Sequence, residues 1–296
     1  MTSRFMNKYM TDKILYNKKE EEKMAGNFTN ANGKKVDLKL SIMHLNWNIP
    51  ENEAFIPWLK EVKAAGYDGI TSFAHWGLQD FITKPAALQT MLDDHGLKLA
   101  AVDAKLFEDI EQYKPILEFM QAMDSHLLVC IDPAGTPKDY KKYGAILNNI
   151  GELAQKYGIQ AHYHNHTNSL GETLTDMESL VAELDLNKVS LMLDTGHASK
   201  DFIELPPKDR AFHFLEKYWD QMHYMEWKDW NDKSDLNTPM GEGCTDFDRL
   251  FDLMQTKGYS GWVTVEQNGN DGWSLDRSPY DTAVISREYI RRKLGV

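Results

Sequence analysis

Ten histidines are spread through this chain, and six of them, seven with His162, fall where a short apolar run gives way to polar residues. One run leads to His44, Asn46 and Trp47, and the next to His75 and Trp76. The third and fourth lead to Asp103 with Lys105, and to Asp132. The later runs lead to His162, His164 and His166, to Asp194 and His197, to His223, Glu226 and Lys228, and to Glu266 and Gln267. Imidazoles mixed with carboxylates suit a divalent cation of intermediate softness (Mn, Co, Fe or Zn), whereas an all-oxygen set would suit Mg or Ca. We expect His164, Asp194, Glu226 and Glu266, one from each of four consecutive runs, to be the ligands. The competing reading pairs each of them with a neighbour at the rim of the fold. Against it, carboxylates crowded together without a cation repel one another.

These residues can meet only if the runs are strands of one sheet whose ends converge. The expected strands are 38–43, 69–74, 97–103, 126–131, 159–164, 189–194, 222–226 and 261–266. Most are continuously apolar, as in parallel strands buried on both faces. Helical spacing fills the gaps: Phe55, Trp58, Leu59, Val62 and Ala65 share one face, as do Ile146, Ile150, Leu153 and Ala154. Gly66, Gly96, Gly158 and Gly258 each stand between a helix and a strand. Eight such units predict an α/β fold, a single-domain (β/α)8 TIM barrel, which gathers its chemistry at the C-terminal ends of its strands. The barrel is expected over residues 37–296, with residues 1–36 a disordered or non-native extension. Met24, after a Lys/Glu-rich stretch, is the expected natural start. The polar stretch from Trp230 to Asp246 follows the seventh strand and is expected to lie over the active face. A second such loop, rich in Gly, Asn and Asp, runs from Asn268 to Pro279.

His166, His197 and Lys228 are the candidate acids and bases beside the ligands. Lys228 could instead clamp negative charge or pair with Asp229, and His197, three residues past Asp194, could orient a ligand. The expected substrate contacts are His44, Trp47, His75, Trp76 and Trp230, with Trp227 and Trp273 further candidates. Indole faces pack against the C–H faces of sugars, which points to a sugar-like ligand. Trp58, Trp219 and Trp262 are expected to be packing residues.

The bulk numbers exclude several classes. The 296 residues carry a net charge of −12, which disfavours nucleic acid and anionic membrane surfaces as partners. No apolar run approaches the ~20 residues that cross a bilayer, so no membrane association is expected. The two cysteines, Cys130 and Cys244, are far apart and outside any CxxC pattern, which fits a reducing compartment and a cytoplasmic location.

Several motifs recur in one order. They are Tyr163-His164-Asn165-His166, Leu193-Asp194-Thr195-Gly196-His197, Glu226-Trp227-Lys228-Asp229, Gly241-Glu242-Gly243 and Gly261-Trp262-Val263-Thr264-Val265-Glu266. In this the chain, from about Leu38 to its C-terminus, resembles the xylose isomerase-like TIM-barrel superfamily. That superfamily includes sugar isomerases, ketose 3-epimerases, inosose dehydratases and endonuclease IV, and the pattern is nearest to inosose dehydratase-like proteins. The superfamily often carries Glu on the fifth strand and His on the seventh; here His164 and Glu226 stand the other way round. Glu172, His166 or His223 therefore stays open as an alternative ligand.

The resemblance implies a metal-dependent enzyme, with Mn or Co favoured, acting on a sugar or cyclitol ketone or aldose. Proton abstraction next to a metal-bound carbonyl then gives isomerisation or epimerisation, and loss of a β-hydroxyl gives the inosose-dehydratase type of lyase instead. An endonuclease IV-like DNA repair enzyme and a non-catalytic sugar-binding barrel are the alternatives of another class. A homo-oligomer follows only by analogy of fold, and whether the substrate is phosphorylated is not decided.

Overall fold

A computed structural model describes residues 37–47, 52–269 and 277–296. Residues 1–36 with Met24, and Trp273 with most of its loop, lie outside the described residues.

Eight parallel strands close into one barrel in the order β1-β10-β7-β6-β5-β4-β3-β2. They are β1 (Asp37–Met43), β2 (Gly69–Phe73), β3 (Lys98–Lys105), β4 (Leu127–Ile131), β5 (Gln160–Tyr163), β6 (Val189–Asp194), β7 (Met222–Trp227) and β10 (Ser260–Val265). All eight coincide with the expected strands to within two residues at each end. Closure is explicit in the register, where Leu40 of β1 faces Val263 of β10.

The two faces of each strand serve different cores. Outward-facing residues pack on the surrounding helices: Trp58, Leu59 and Val62 of α1 (Asn52–Ala65) are buried with Leu40, Ile42 and Ile70. Inward-facing residues are fewer and more polar. Ala101, Val129, Met192 and Tyr224 make a small apolar plug inside the barrel. Beside it the hydroxyls of Ser41, Thr71 and Thr264 lie 2.6–3.1 Å apart, and the Tyr224 hydroxyl closes on Thr264. Such a chain satisfies polar groups that burial would otherwise penalise.

Among the described residues, the loop after β7 is the one strand-following loop that carries strands of its own. The polar stretch expected there is a two-stranded antiparallel hairpin, β8 (Asp229–Asn231) with β9 (Asp235–Thr238). The Asp229 carboxylate organises it. Its Oδ1 accepts from the amides of Trp230 (2.9 Å) and Thr245 (3.1 Å), and its Oδ2 from those of Gly241 and Gly243 (2.9 Å each). A Cβ on Gly243 would sit 2.1 Å from Asp229 Oδ1, so the chain can wrap this carboxylate only with glycine there. Among the described residues no helix is long and apolar enough to cross a membrane. Cys130 is buried and both cysteines are free.

Candidate metal centre and active site

The motifs after β5 and β6 work as one device. In the first, the Tyr163 hydroxyl donates to Asp132 (2.6 Å) and fixes the loop that follows. His164 faces the barrel axis. Asn165 brackets the end of β6, accepting from the Asp194 amide (2.8 Å) and donating to its carbonyl (3.0 Å). In the second motif, Asp194 caps α6 (Thr195–Asp201) by accepting from the His197 amide at 2.9 Å. Thr195 Oγ1 bonds both the amide and the carbonyl of Lys228, at 2.9 and 2.8 Å, and so locks β6 to β7. Gly196 leaves room for the Lys228 stem, since a Cβ there would lie 2.6 Å from Lys228 Cγ.

As a result His164, Asp194, Glu226 and Glu266 converge. One ligand-capable atom from each lies within 4.8 Å of all the others, and all four residues are buried. His164 Nε2 is 2.7 Å from Glu226 Oε2 and 3.5 Å from Asp194 Oδ2. Lys228 Nζ donates to Glu266 Oε1 at 2.7 Å and lies 3.1 Å from Asp194 Oδ2. Asp194 Oδ2 has no hydrogen bond of good geometry, and His164 Nδ1 has none at all. One imidazole and three carboxylates from four successive barrel strands fit a divalent cation in both charge and donor type. Glu172 and His223 stand apart: Glu172 accepts from the Asn168 amide, and His223 sits at the opposite end of β7 against Ser190.

The titrations follow from this crowding. Burial disfavours a charged His164, but Glu226 and Asp194 outweigh it and hold its pKa well above the usual imidazole range. Burial likewise opposes a charged Lys228, yet Asp194 and Glu266 hold its pKa above the ordinary lysine value. Asp194 and Glu266 thus favour the ammonium form of Lys228, which suits a clamp on negative charge. Burial lifts Glu266 to about 7, with Lys228 pulling the other way.

A cavity of about 370 Å³ opens over this cluster, lined by Phe73, Trp76, Asp103, His164, His166 and Glu266, and by Asp235, Leu236 and Asn237 of the hairpin. The His166 Nδ1–H donates to the Thr167 carbonyl at 2.8 Å, which leaves Nε2 as the open lone pair. Burial, then His164 and Lys228, lower its pKa to about 4, so it is neutral at neutral pH. His197 lies behind it, ring centroids 4.0 Å apart, and does not line the cavity. Its Nδ1 accepts from the Thr167 amide at 3.2 Å, which puts the proton of the neutral ring on Nε2. That arrangement sets His197 against the back of the His166 ring.

Of the five expected substrate contacts, Trp76 alone lines the cavity. His44 is buried, bonds Ser72 at 2.9 Å and stacks edge-on against Trp76 at 4.6 Å. The Trp47 indole turns outward and donates to Glu61 at 2.5 Å. His75 is exposed at the rim. Trp230 donates to Asp235 at 2.9 Å and so supports a lining residue without lining the cavity itself. The lining residues that spacing missed are Leu45, Phe73, Asp103, Ile131 and Asn268, with Asp235, Leu236 and Asn237 of β9. Asp103 stood among the strand-end residues, but nothing in the sequence set it apart from Asp132, which pairs with Tyr163.

Comparison with known proteins agrees with this geometry. An inosose dehydratase from Bacillus licheniformis is 29% identical over 179 residues, covering 55% of this chain and 57% of that protein. One from Bacillus thuringiensis is 23% identical over 310 residues, 89% of this chain and 99% of that one. Among solved structures, an L-ribulose 3-epimerase superposes with a TM-score of 0.70 at 17% identity, covering 87% of this chain and 95% of its own. The IolI protein, solved with a bound zinc atom, gives 0.66 at 18% identity, over 87% and 98%. A family profile described as "Xylose isomerase-like TIM barrel" matches residues 59–292. The chain belongs to the xylose isomerase-like TIM barrel family.

Proposed function

We propose that this protein is a metal-dependent enzyme acting on a sugar or cyclitol that bears a carbonyl group. It removes a proton from the carbon next to that carbonyl, giving isomerisation or epimerisation. The observation that carries this reading is the convergence of His164, Asp194, Glu226 and Glu266 at the floor of a cavity that a neutral imidazole, His166, also lines. Those four residues would hold a divalent cation, Mn or Co by preference, and it would supply Lewis acidity toward a substrate carbonyl. The bound zinc of IolI supports a cation of this type.

The remaining work falls to the chain's own residues. His166, fixed through Nδ1, accepts the substrate proton at Nε2. Its low pKa leaves that lone pair free at neutral pH. His197 and Thr167 hold the His166 ring from behind. The Lys228 ammonium balances Asp194 and Glu266, so that three carboxylates can share a small volume. Trp76 and Phe73 offer apolar faces to the C–H side of a ring or chain. The hairpin covers the cavity and keeps water from the carbanion equivalent. Delivery of the proton from His166 to the neighbouring carbon gives an isomer, whereas an epimer requires a second acid to protonate the opposite face of the same carbon.

A second reading is favoured by the inosose dehydratase relatives. There the same proton is removed, the β-hydroxyl leaves as water and a dehydrated ketone remains. The test is incubation of the Mn- or Co-loaded protein with keto-sugars and inososes in deuterated water, followed by NMR. Deuterium is expected at a carbon next to the carbonyl, and the product separates epimer or isomer from dehydrated ketone. No exchange with any member of the panel would overturn the reading. Cleavage of DNA at abasic sites would favour the repair alternative, against which the net charge of −12 stands.

A further inference from the structure

Asp103 sits on the inward face of β3 and is 1% exposed. Its buried Oδ1 receives no hydrogen bond, although the residue is among those that line the cavity. Its backbone carbonyl is occupied by the Ala74 amide at 2.8 Å, so the strand is fixed and the side chain is left over. A buried acceptor without a donor is unfavourable, so the free site is completed by whatever brings an O–H to it. Asp103 belongs to none of the ligand contacts described above.

The charges around it narrow the class of ligand. The Lys228 ammonium is committed to Asp194 and Glu266. Asp235 at the cavity mouth is paired with Lys200 at 3.0 Å. The amide end of α6 is capped by Asp194. Among the described residues no Lys or Arg lines the cavity. Lys105, two residues beyond Asp103, is exposed and does not line it. Segments 48–51 and 270–276 contain neither Lys nor Arg. A phosphate ester brings close to two negative charges and only acceptor atoms, and its usual partners are Arg, Lys or free helix-end amides.

Resting on the sugar reading of this site, we infer that Asp103 is a specificity-determining residue: it holds a hydroxyl of an uncharged polyhydroxy substrate, and the cavity rejects the phosphorylated form. A carboxylate oxygen accepts a hydrogen bond from a hydroxyl, which a polyhydroxy substrate supplies.

The test uses the full Mn-loaded protein, with Asp103→Asn and Asp103→Ala beside wild type. Binding of D-fructose, an inosose and D-fructose 6-phosphate is followed through tryptophan fluorescence, since Trp76 lines the cavity. Metal content and melting temperature are measured on each variant. Wild type is expected to bind at least one neutral ligand, and the phosphate ester at least about tenfold more weakly. Asp103→Ala is expected to weaken neutral binding by about 10- to 100-fold with metal content unchanged, the range for a hydrogen bond to a charged group. Asp103→Asn, which keeps one acceptor oxygen, is expected to recover part of that loss. Equal or tighter binding of the phosphate ester, unaltered affinity in Asp103→Ala, or failure of wild type to bind any neutral ligand would each overturn the inference. If Asp103→Ala melts early, Asp103→Asn and the wild-type discrimination carry the test. Neutral binding without deuterium exchange would remove the enzymatic reading and leave this one standing. Exchange with an unaltered KM in Asp103→Ala would do the reverse.

Discussion

The two halves of the barrel carry similar residues at their strand ends and use them differently. In the first half, His44, Trp47 and His75 are either spent on neighbours or turned to solvent: His44 on Ser72, Trp47 on Glu61. In the second half, His164, Asp194, Glu226, Lys228 and Glu266 are spent on one another. The contrast is sharpest between two histidines. His44 is buried among aromatic rings, and burial, with His75 adding to it, lowers its pKa to about 3. His164 is as deeply buried, but Glu226 and Asp194 drive its pKa in the opposite direction. Residue type at a strand end therefore does not make a site; the charge brought in by adjacent strands does.

The largest effect should come from breaking the second half. Lys228→Met removes the cation between Asp194 and Glu266 and leaves buried carboxylates uncompensated, at a cost of about 3–5 kcal/mol. Chemical denaturation without metal should show that loss, and added Mn²⁺ should recover part of it. A variant as stable as wild type without metal would mean that these carboxylates do not need the ammonium.

The next effect separates the two histidines by pH. A folded pKa below the unfolded value of about 6.5 means that the unfolded chain binds a proton which native His44 refuses. Stability should therefore fall as pH drops from about 6.5 toward 4.5, by on the order of 3 kcal/mol for this residue. His44→Gln should flatten that part of the profile. A wild-type protein that gains stability over the same window would contradict the assignment.

The smallest effect should come from the first-half residues that turned away. Trp47→Phe and His75→Ala are expected to change KM by less than about threefold, because neither side chain lines the cavity. Trp76→Ala, by contrast, should raise KM by about tenfold through lost ring contact. A large effect at Trp47 would place the indole in the working site and dissolve the distinction between the halves.

Much of this was legible in the sequence, for identifiable reasons. Buried parallel strands are continuous apolar runs, so β6 was found at its exact bounds and the others nearly so. The four proposed ligands could be named because a barrel strand delivers its last residues to a common point, whatever the loops do. The exchanged positions of His164 and Glu226 did not prevent this, since the four still meet. Side-chain direction just past a strand is another matter. Trp47 lies in a 3-10 turn that points its indole toward Glu61, and no spacing rule encodes that. The stretch over the cavity was expected as a polar loop across the active face with no strands assigned to it, because its order comes from one carboxylate gathering four amides rather than from alternating apolar residues.

The central claim is that the second-half cluster holds a divalent cation. Calorimetric titration of chelator-treated protein with Mn²⁺ tests it most directly, run at two pH values and repeated on Asp194→Asn. The expected result is one equivalent bound by wild type, tighter at the higher pH because His164 must give up its proton to bind, and none bound by the variant. Wild type that takes up no cation, or Asp194→Asn that binds as well as wild type, would contradict the account.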